Sequence, residues 1–226
     1  IGGMSWESSQ EYYRIIKRKI RARLGGTQSA KSLMWSMDFG EIEHLQHQGK
    51  WDELTKLMIE ATQNLEKGGA NFIVICTNTM HKMAADIERA TSIPLVHIAD
   101  PTAEKIKAAG LSKVRLLGTA FTMEQDFYKG RLASKHGLEV LTPDDADRKT
   151  VHDIIYQELV MGEVRDASRE KYRAVIQRLV ERGAEAIILG CTEIMLLIGQ
   201  NDSPVPVFDT TRLHALAAVD WALGYV

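Results

Sequence analysis

Short apolar runs alternate along this chain with stretches whose apolar residues recur every three or four positions. Phe72-Ile73-Val74-Ile75-Cys76, Val114-Arg115-Leu116-Leu117 and Ala186-Ile187-Ile188-Leu189 are brief and rich in β-branched residues. That is the pattern of strands covered on both faces, as in a parallel sheet. Residues 33–39 and 95–98 are weaker strand candidates. Leu54, Leu57, Met58, Ala61 and Leu65 fall on one helical face, as do Tyr172, Val175, Ile176, Leu179 and Val180. Both stretches end on glycine, at Gly68-Gly69 and at Gly183, which suits a helix C-terminus turning into a strand. The succession of helix, Gly-Ala, strand, polar turn and helix predicts an α/β fold with right-handed crossovers.

One stretch occurs twice. Gly69-Ala70-Asn71-Phe72-Ile73-Val74-Ile75-Cys76-Thr77-Asn78-Thr79 aligns with Gly183-Ala184-Glu185-Ala186-Ile187-Ile188-Leu189-Gly190-Cys191-Thr192-Glu193. Gln10-Glu11-Tyr12-Tyr13-Arg14 echoes Gln125-Asp126-Phe127-Tyr128-Lys129, and Pro94-Leu95-Val96-His97 echoes Pro206-Val207-Phe208-Asp209. The echoes share nearly one spacing. They predict two similar α/β halves, residues 1–97 plus 211–226 and residues 98–210, related by pseudo-two-fold symmetry with a site between them. Each half would offer one residue, which suits chemistry on both faces of one carbon. Ligands of parallel sheets bind beyond the carboxyl ends of the strands, where Thr77 and Cys191 fall. Gly2-Gly3-Met4-Ser5 and Gly118-Thr119-Ala120 should line the same cleft. The opening Ile1-Gly2-Gly3 matches a segment that has a strand before its glycine, so a few residues of a first strand are expected ahead of Ile1.

Length and composition narrow the setting. The chain has 226 residues, room for one domain or two of roughly 100 residues, and the repeat favours two. Hydrophobic residues make up 45% and charged residues 26%, with a net charge of −2. That balance points to neither nucleic acid nor a membrane surface. No apolar run has bilayer length and no secretory signal opens the chain. Two cysteines are too few for a disulfide framework, so a cytoplasmic setting is expected. No Cys/His pair has zinc spacing, so no metal is expected.

Cys191 is the sharpest chemical candidate. A helix N-terminus would lower its thiol pKa and Glu193 would raise it, and the net sign is open. Cys76, aligned with Gly190, reads as a core residue. The Thr77 hydroxyl is a poor base near neutral pH; it could donate a proton, pass one through water, bind substrate, or cap a helix. Thr192 and Glu193 would occupy a first helical turn. His81 and His97 read as hydrogen-bonded structural histidines, the four tryptophans as packing residues, and residues 17–23 as a solvated basic face. Arg14 and Lys129 occupy equivalent repeat positions and are either cations for a substrate carboxylate or surface charges.

Thr77-Asn78-Thr79-Met80-His81 and Gly190-Cys191-Thr192-Glu193 resemble the paired Cys-Asn-Thr-x-His and Gly-Cys-Thr-Glu motifs of the aspartate/glutamate racemase family. Gly2-Gly3-Met4-Ser5-Trp6-Glu7 resembles the glycine-rich opening of that family, and the likeness spans nearly the whole chain. The resemblance implies two Rossmann-like domains, no cofactor, a small-molecule amino acid as substrate, and a homodimer by family habit. In the family two cysteines act as opposed acid and base on the α-carbon. Threonine in place of the first cysteine resembles a bacterial branch specific for L-aspartate and L-glutamate, whose members are also described as broad-specificity racemases. Carried over, Cys191 and Thr77 are catalytic, and Met4, Gln46, Thr77, Asn78, Thr79, Thr192 and Glu193 contact substrate.

Three other readings stay open. A broad-specificity racemase would take uncharged amino acids such as homoserine. An enzyme like arylmalonate decarboxylase would use Cys191 alone as proton donor to an enolate. A racemase-like scaffold could bind an amino acid without turning it over. The polar pairs Asn78-Thr79 and Thr192-Glu193 favour an amino-acid substrate, which places the decarboxylase reading behind the racemase.

Overall fold

The computed structural model describes residues 1–225 and is a mixed α/β protein of two compact units. The first comprises Ile1–His97 and His214–Val226, the second Ile98–Leu213.

The first unit opens with helices α1 (Trp6–Leu24), α2 (Phe39–His47) and α3 (Trp51–Lys67). Strand β1 (Ile73–Val74) leads into a 3-10 turn, Thr79–Met83, then α4 (Ala84–Ala90) and β2 (Leu95–Val96). Strands β1 and β2 pair in parallel. The core of this unit gathers Leu54, Met58, Ala61 and Leu65 of α3 with Ile73, Ile75, Met80 and Ile87, so the helical face read from the periodicity is the buried one.

The second unit runs α5 (Ala99–Ala108), β3 (Lys113–Leu117), α6 (Ala120–Glu124), α7 (Asp126–His136), β4 (Glu139–Leu141) and α8 (Asp145–Gln157). It continues through α9 (Asp166–Glu181), β5 (Ala186–Leu189), α10 (Ile194–Leu197) and β6 (Val207–Asp209). Its four strands form one parallel sheet in the order β4-β3-β5-β6. All four residues of β5 are buried, as a strand covered on both faces must be. Helix α11 (Thr210–Ala222) starts in the second unit and ends in the first.

The internal repeat is visible in hydrogen bonds. Ile73 pairs with Leu95 in the first unit, and Ile187 with Val207 in the second. Ile73 N donates to Pro94 O at 2.8 Å, and Ile187 N to Pro206 O at 2.9 Å. Both helix ends use a glycine at positive φ, Gly69 at 91° and Gly183 at 82°, a conformation in which any larger side chain is strained. The next residues, Ala70 and Ala184, then donate to Leu65 O and Leu179 O, each at 3.0 Å.

Residues 33–39 do not form the expected strand. Gly2 makes a single bridge to Ser36; Leu33, Met34 and Trp35 are exposed, and only Met37 and Phe39 pack against the core, Phe39 already as the first residue of α2. Packing also fails to account for every tryptophan. Trp6 is 63% exposed on the first turn of α1, and Trp35 lies in the open segment. Trp221 lies 6.0 Å from the ring of Phe72 while staying partly exposed. Trp51 does pack against the first unit's core, with the Lys82 ammonium 4.0 Å from its ring centre. The basic face of α1 is only partly solvated, since Arg23 pairs with Asp220 at 2.5 Å.

Candidate functional site

In the second unit, β5 ends at Leu189, and Gly190 carries the chain to Cys191. Glycine is required here for space. An added Cβ on Gly190 would stand 2.9 Å from Leu117 O and 2.4 Å from Leu116 Cδ1, and one on Gly118 would stand 2.9 Å from Gly190 O. The carboxyl ends of β3 and β5 therefore close on each other through two glycines, and Gly190 N donates to Leu117 O at 2.6 Å.

Cys191 is buried, as are Thr192 and Glu193. The thiol donates to Glu193 Oε2 at 2.9 Å, and the Thr192 hydroxyl donates to the same oxygen at 3.1 Å. Thr211 Oγ1 holds Thr192 O at 3.3 Å, and Thr210 Oγ1 holds Leu189 O at 2.7 Å. These bonds fasten the Cys191 turn to the start of α11. Thr192 and Glu193 do not lie in a helical first turn: α10 begins at Ile194 and lasts four residues. The open balance at Cys191 resolves upward. Burial pushes the thiol well above its ordinary range, and the charge and hydrogen bond of Glu193 add to that, against the backbone N–H groups of Glu193 and Thr192. So short a helix offers little opposing dipole. The resting group is a thiol.

In the first unit, Thr77 and Asn78 are buried between β1 and the 3-10 turn, and Thr79, buried as well, is the first residue of that turn. Thr77 is not a helix cap. Asn78 holds the capping position, without a side-chain cap bond, because the turn starts at Thr79. The Thr77 carbonyl is taken instead by His81 Nδ1 at 2.8 Å. Gln46 on α2 is buried and donates through Nε2 to Met80 Sδ at 3.4 Å. Met4 is buried in the same apolar cluster as Met80. Met4, Gln46 and Thr77–Thr79 thus gather around one turn, while Cys191, Thr192 and Glu193 gather around the equivalent turn of the repeat. Cys76 is a core residue packed with Tyr12, Ile15 and Ala215, its thiol raised by burial.

The two repeat cations hold surface pairs. Arg14 bonds Glu11 through Nε at 2.9 Å, and Lys129 bonds Glu124 O at 3.0 Å. Arg115 is a buried arginine on β3 whose guanidinium bonds Val114 O and Arg182 O, each at 3.2 Å. Arg182 precedes β5, so this cation sits at the amino end of the sheet, away from Cys191. The sequence set the Glu193 charge beside Cys191; the direct hydrogen bond between them is what the structure adds. Among the described residues no group of three or more His, Cys, Asp or Glu could hold a metal ion, and no helix is long and apolar enough to cross a membrane.

Comparison with known proteins adds relatives to this geometry. The family described as Asp/Glu/Hydantoin racemase matches residues 1–218. A crystal structure of a Yersinia pestis protein, named for the Asp/Glu racemases, is 55% identical with a TM-score of 0.91, covering 98% of this chain and 96% of that one. An aspartate racemase homologue from Pyrococcus horikoshii OT3 is 34% identical with a TM-score of 0.83, again covering 98% and 96%. The broad specificity amino-acid racemase RacX of Bacillus subtilis is 27% identical over 177 residues, 77% of this chain and 74% of that protein.

Proposed function

Because this chain belongs to the Asp/Glu/hydantoin racemase family, a family of isomerases, we propose that it is a cofactor-independent racemase of aspartate and glutamate. Cys191 serves one face of the α-carbon and Thr77 the other. The observation that carries this reading is the buried Cys191 thiol bonded to Glu193 at 2.9 Å. It pairs a proton donor with a carboxylate able to take its proton.

The α-proton of an amino acid is a very weak acid, so the carbanion must be stabilised by directed hydrogen bonds and the groups exchanging protons must be positioned beforehand. As donor, Cys191 passes its S–H proton to a carbanion formed when a water held by the Thr77 hydroxyl takes the α-proton from the opposite face and hands it to solvent; the thiolate left behind regains a proton from solvent. As base, Cys191 first gives its proton to Glu193, and the thiolate then takes the α-proton. The C–H electron pair stays on the substrate, spread into its own carboxylate. The Thr77 hydroxyl delivers a proton to the opposite face and is replenished through water, while Glu193 returns its proton to solvent.

A second reading, racemisation of uncharged amino acids such as homoserine, is favoured by one observation. Arg14 and Lys129 are engaged in surface bonds to Glu11 and Glu124 O, which weakens the case for either as partner of a distal carboxylate. It is also the reading to which the name of the Bacillus subtilis relative lends support.

The test is α-proton exchange in D₂O followed by NMR, with each enantiomer of aspartate, glutamate and homoserine, on the wild type and Cys191→Ser. Exchange with inversion, lost in the variant, is the expected result and names the substrate. Exchange without inversion from one enantiomer would assign Cys191 to one face and remove Thr77 as its partner. No exchange from any of the six would sink the racemase reading in favour of decarboxylation or simple binding.

A further inference from the structure

We propose that His81 is a positioning residue for Thr77, the near end of a buried chain of rings that fixes the turn after β1. The proposal rests on the reading of Thr77 as the group opposite Cys191. His81 is buried, and its Nδ1 lies 2.8 Å from Thr77 O. A carbonyl only accepts, so Nδ1 carries the proton and the tautomer is set. The backbone N–H of His81 donates to Asn78 O at 3.1 Å. One residue therefore holds two consecutive carbonyls, Thr77 by side chain and Asn78 by main chain. Holding the Thr77 carbonyl restrains the backbone torsion beside its Cα and so narrows where the Cβ, and with it the hydroxyl, can project.

The His81 ring is itself held. It lies 4.6 Å from the ring of His97, tilted 59°, and 5.7 Å edge-on from the ring of His214. His214 is buried completely. Its Nε2 donates to Val96 O at 2.7 Å, which leaves Nδ1 to accept the Tyr12 hydroxyl at 2.8 Å. Both His214 nitrogens are spent in this way, so the cluster orients rings. A buried imidazole costs free energy unless its polar atoms are partnered. Here the partners also dictate ring orientation, from Tyr12 on α1 to the carbonyl of Thr77.

The experiment reads inversion and solvent exchange separately, in D₂O with the amino acid the wild type turns over. His81→Leu removes the donor. Inversion is expected to fall about 10- to 100-fold, the scale of a misplaced reacting group, while exchange at the face served by Cys191 stays within about threefold. His81→Asn, whose amide nitrogen stands close to the Nδ1 position, is expected to restore most of the inversion. His81→Gln, whose amide lies further out, is not. The double variant His81→Leu/Thr77→Ala should be no slower than Thr77→Ala alone. Equal loss of inversion and exchange, multiplicative loss in the double variant, or equal behaviour of Asn and Gln would overturn the positioning role and leave Thr77 in place. Unimpaired inversion in Thr77→Ala would instead overturn the reading of Thr77, and this proposal with it. If His81→Leu does not fold, the comparison of Asn with Gln decides alone.

Discussion

The thiol of Cys191 and the carboxylate of Glu193 share a hydrogen bond of 2.9 Å inside a buried turn. Burial is the largest influence holding the thiol protonated, and Glu193 reinforces it by charge and by the bond itself. Glu193→Gln removes the charge and leaves the burial. The thiol pKa is then expected to fall from its raised position while staying above that of a free cysteine. Alkylation of Cys191 as a function of pH, in a Cys76→Ala background, measures this. An inflection that stays put or moves up would separate the two residues chemically.

A thiol and a threonine hydroxyl are unequal bases, so the two directions of racemisation should differ in initial rate. A catalyst lowers one barrier for both directions and cannot move the equilibrium between enantiomers. Reactions started from either enantiomer are expected to end at the same composition. Polarimetry or chiral chromatography run to completion checks it, and unequal end points without inactivation would contradict the mechanism.

Gly190→Ala should be costly. The new methyl meets the Leu117 carbonyl at 2.9 Å and the fully buried Leu116 side chain at 2.4 Å. Overpacking of this kind costs about 2 kcal/mol and lowers Tm by several degrees. Gly199→Ala, where the methyl meets open space, serves as the control. A thermal-shift comparison in which the two variants behave alike would show that the β3–β5 closure is not tight.

Asp100 gives an acid-side prediction. Burial alone would raise its pKa, but hydrogen bonds from Arg131, Lys135 and His136 outweigh burial and hold the carboxyl well below the usual range. Their distances run from 2.6 to 2.9 Å. A carboxyl depressed in the folded state stabilises it above the unfolded pKa, about 3.9, and loses that contribution as pH falls towards the folded value. Below about pH 4, therefore, the Tm of the wild type should fall more steeply than that of Asp100→Asn. Parallel curves would mean that the cluster contributes nothing to pH dependence.

The parts legible in the sequence were those where local pattern and global fold agree. The runs at residues 72–76, 114–117 and 186–189 place the buried strands, and Gly69 and Gly183 mark the turns before two of them. The site turns were half legible. That Thr77 and Cys191 follow strands is in the pattern. That helical structure begins only at Thr79 and Ile194 goes with short-range side-chain bonds, His81 to Thr77 O and Cys191 to Glu193 Oε2, which hydrophobic periodicity does not encode. Residues 33–39 misled because Leu33, Met34 and Trp35 stay exposed, and strand propensity without burial of those side chains decides little.

The first 97 residues and the segment from His214 onward belong to one compact unit, and residues 98–213 to the other. His214, the residue that bonds both Tyr12 and Val96, is the first of the returning segment. During synthesis, then, the ribosome has delivered everything the second unit contains before the first unit receives His214. The part of the chain made earliest is the part completed last. The assembly order of the two units is expected to run opposite to the usual N-terminal-first sequence, with Tyr12 and Val96 waiting some 120 residues or more for their common partner.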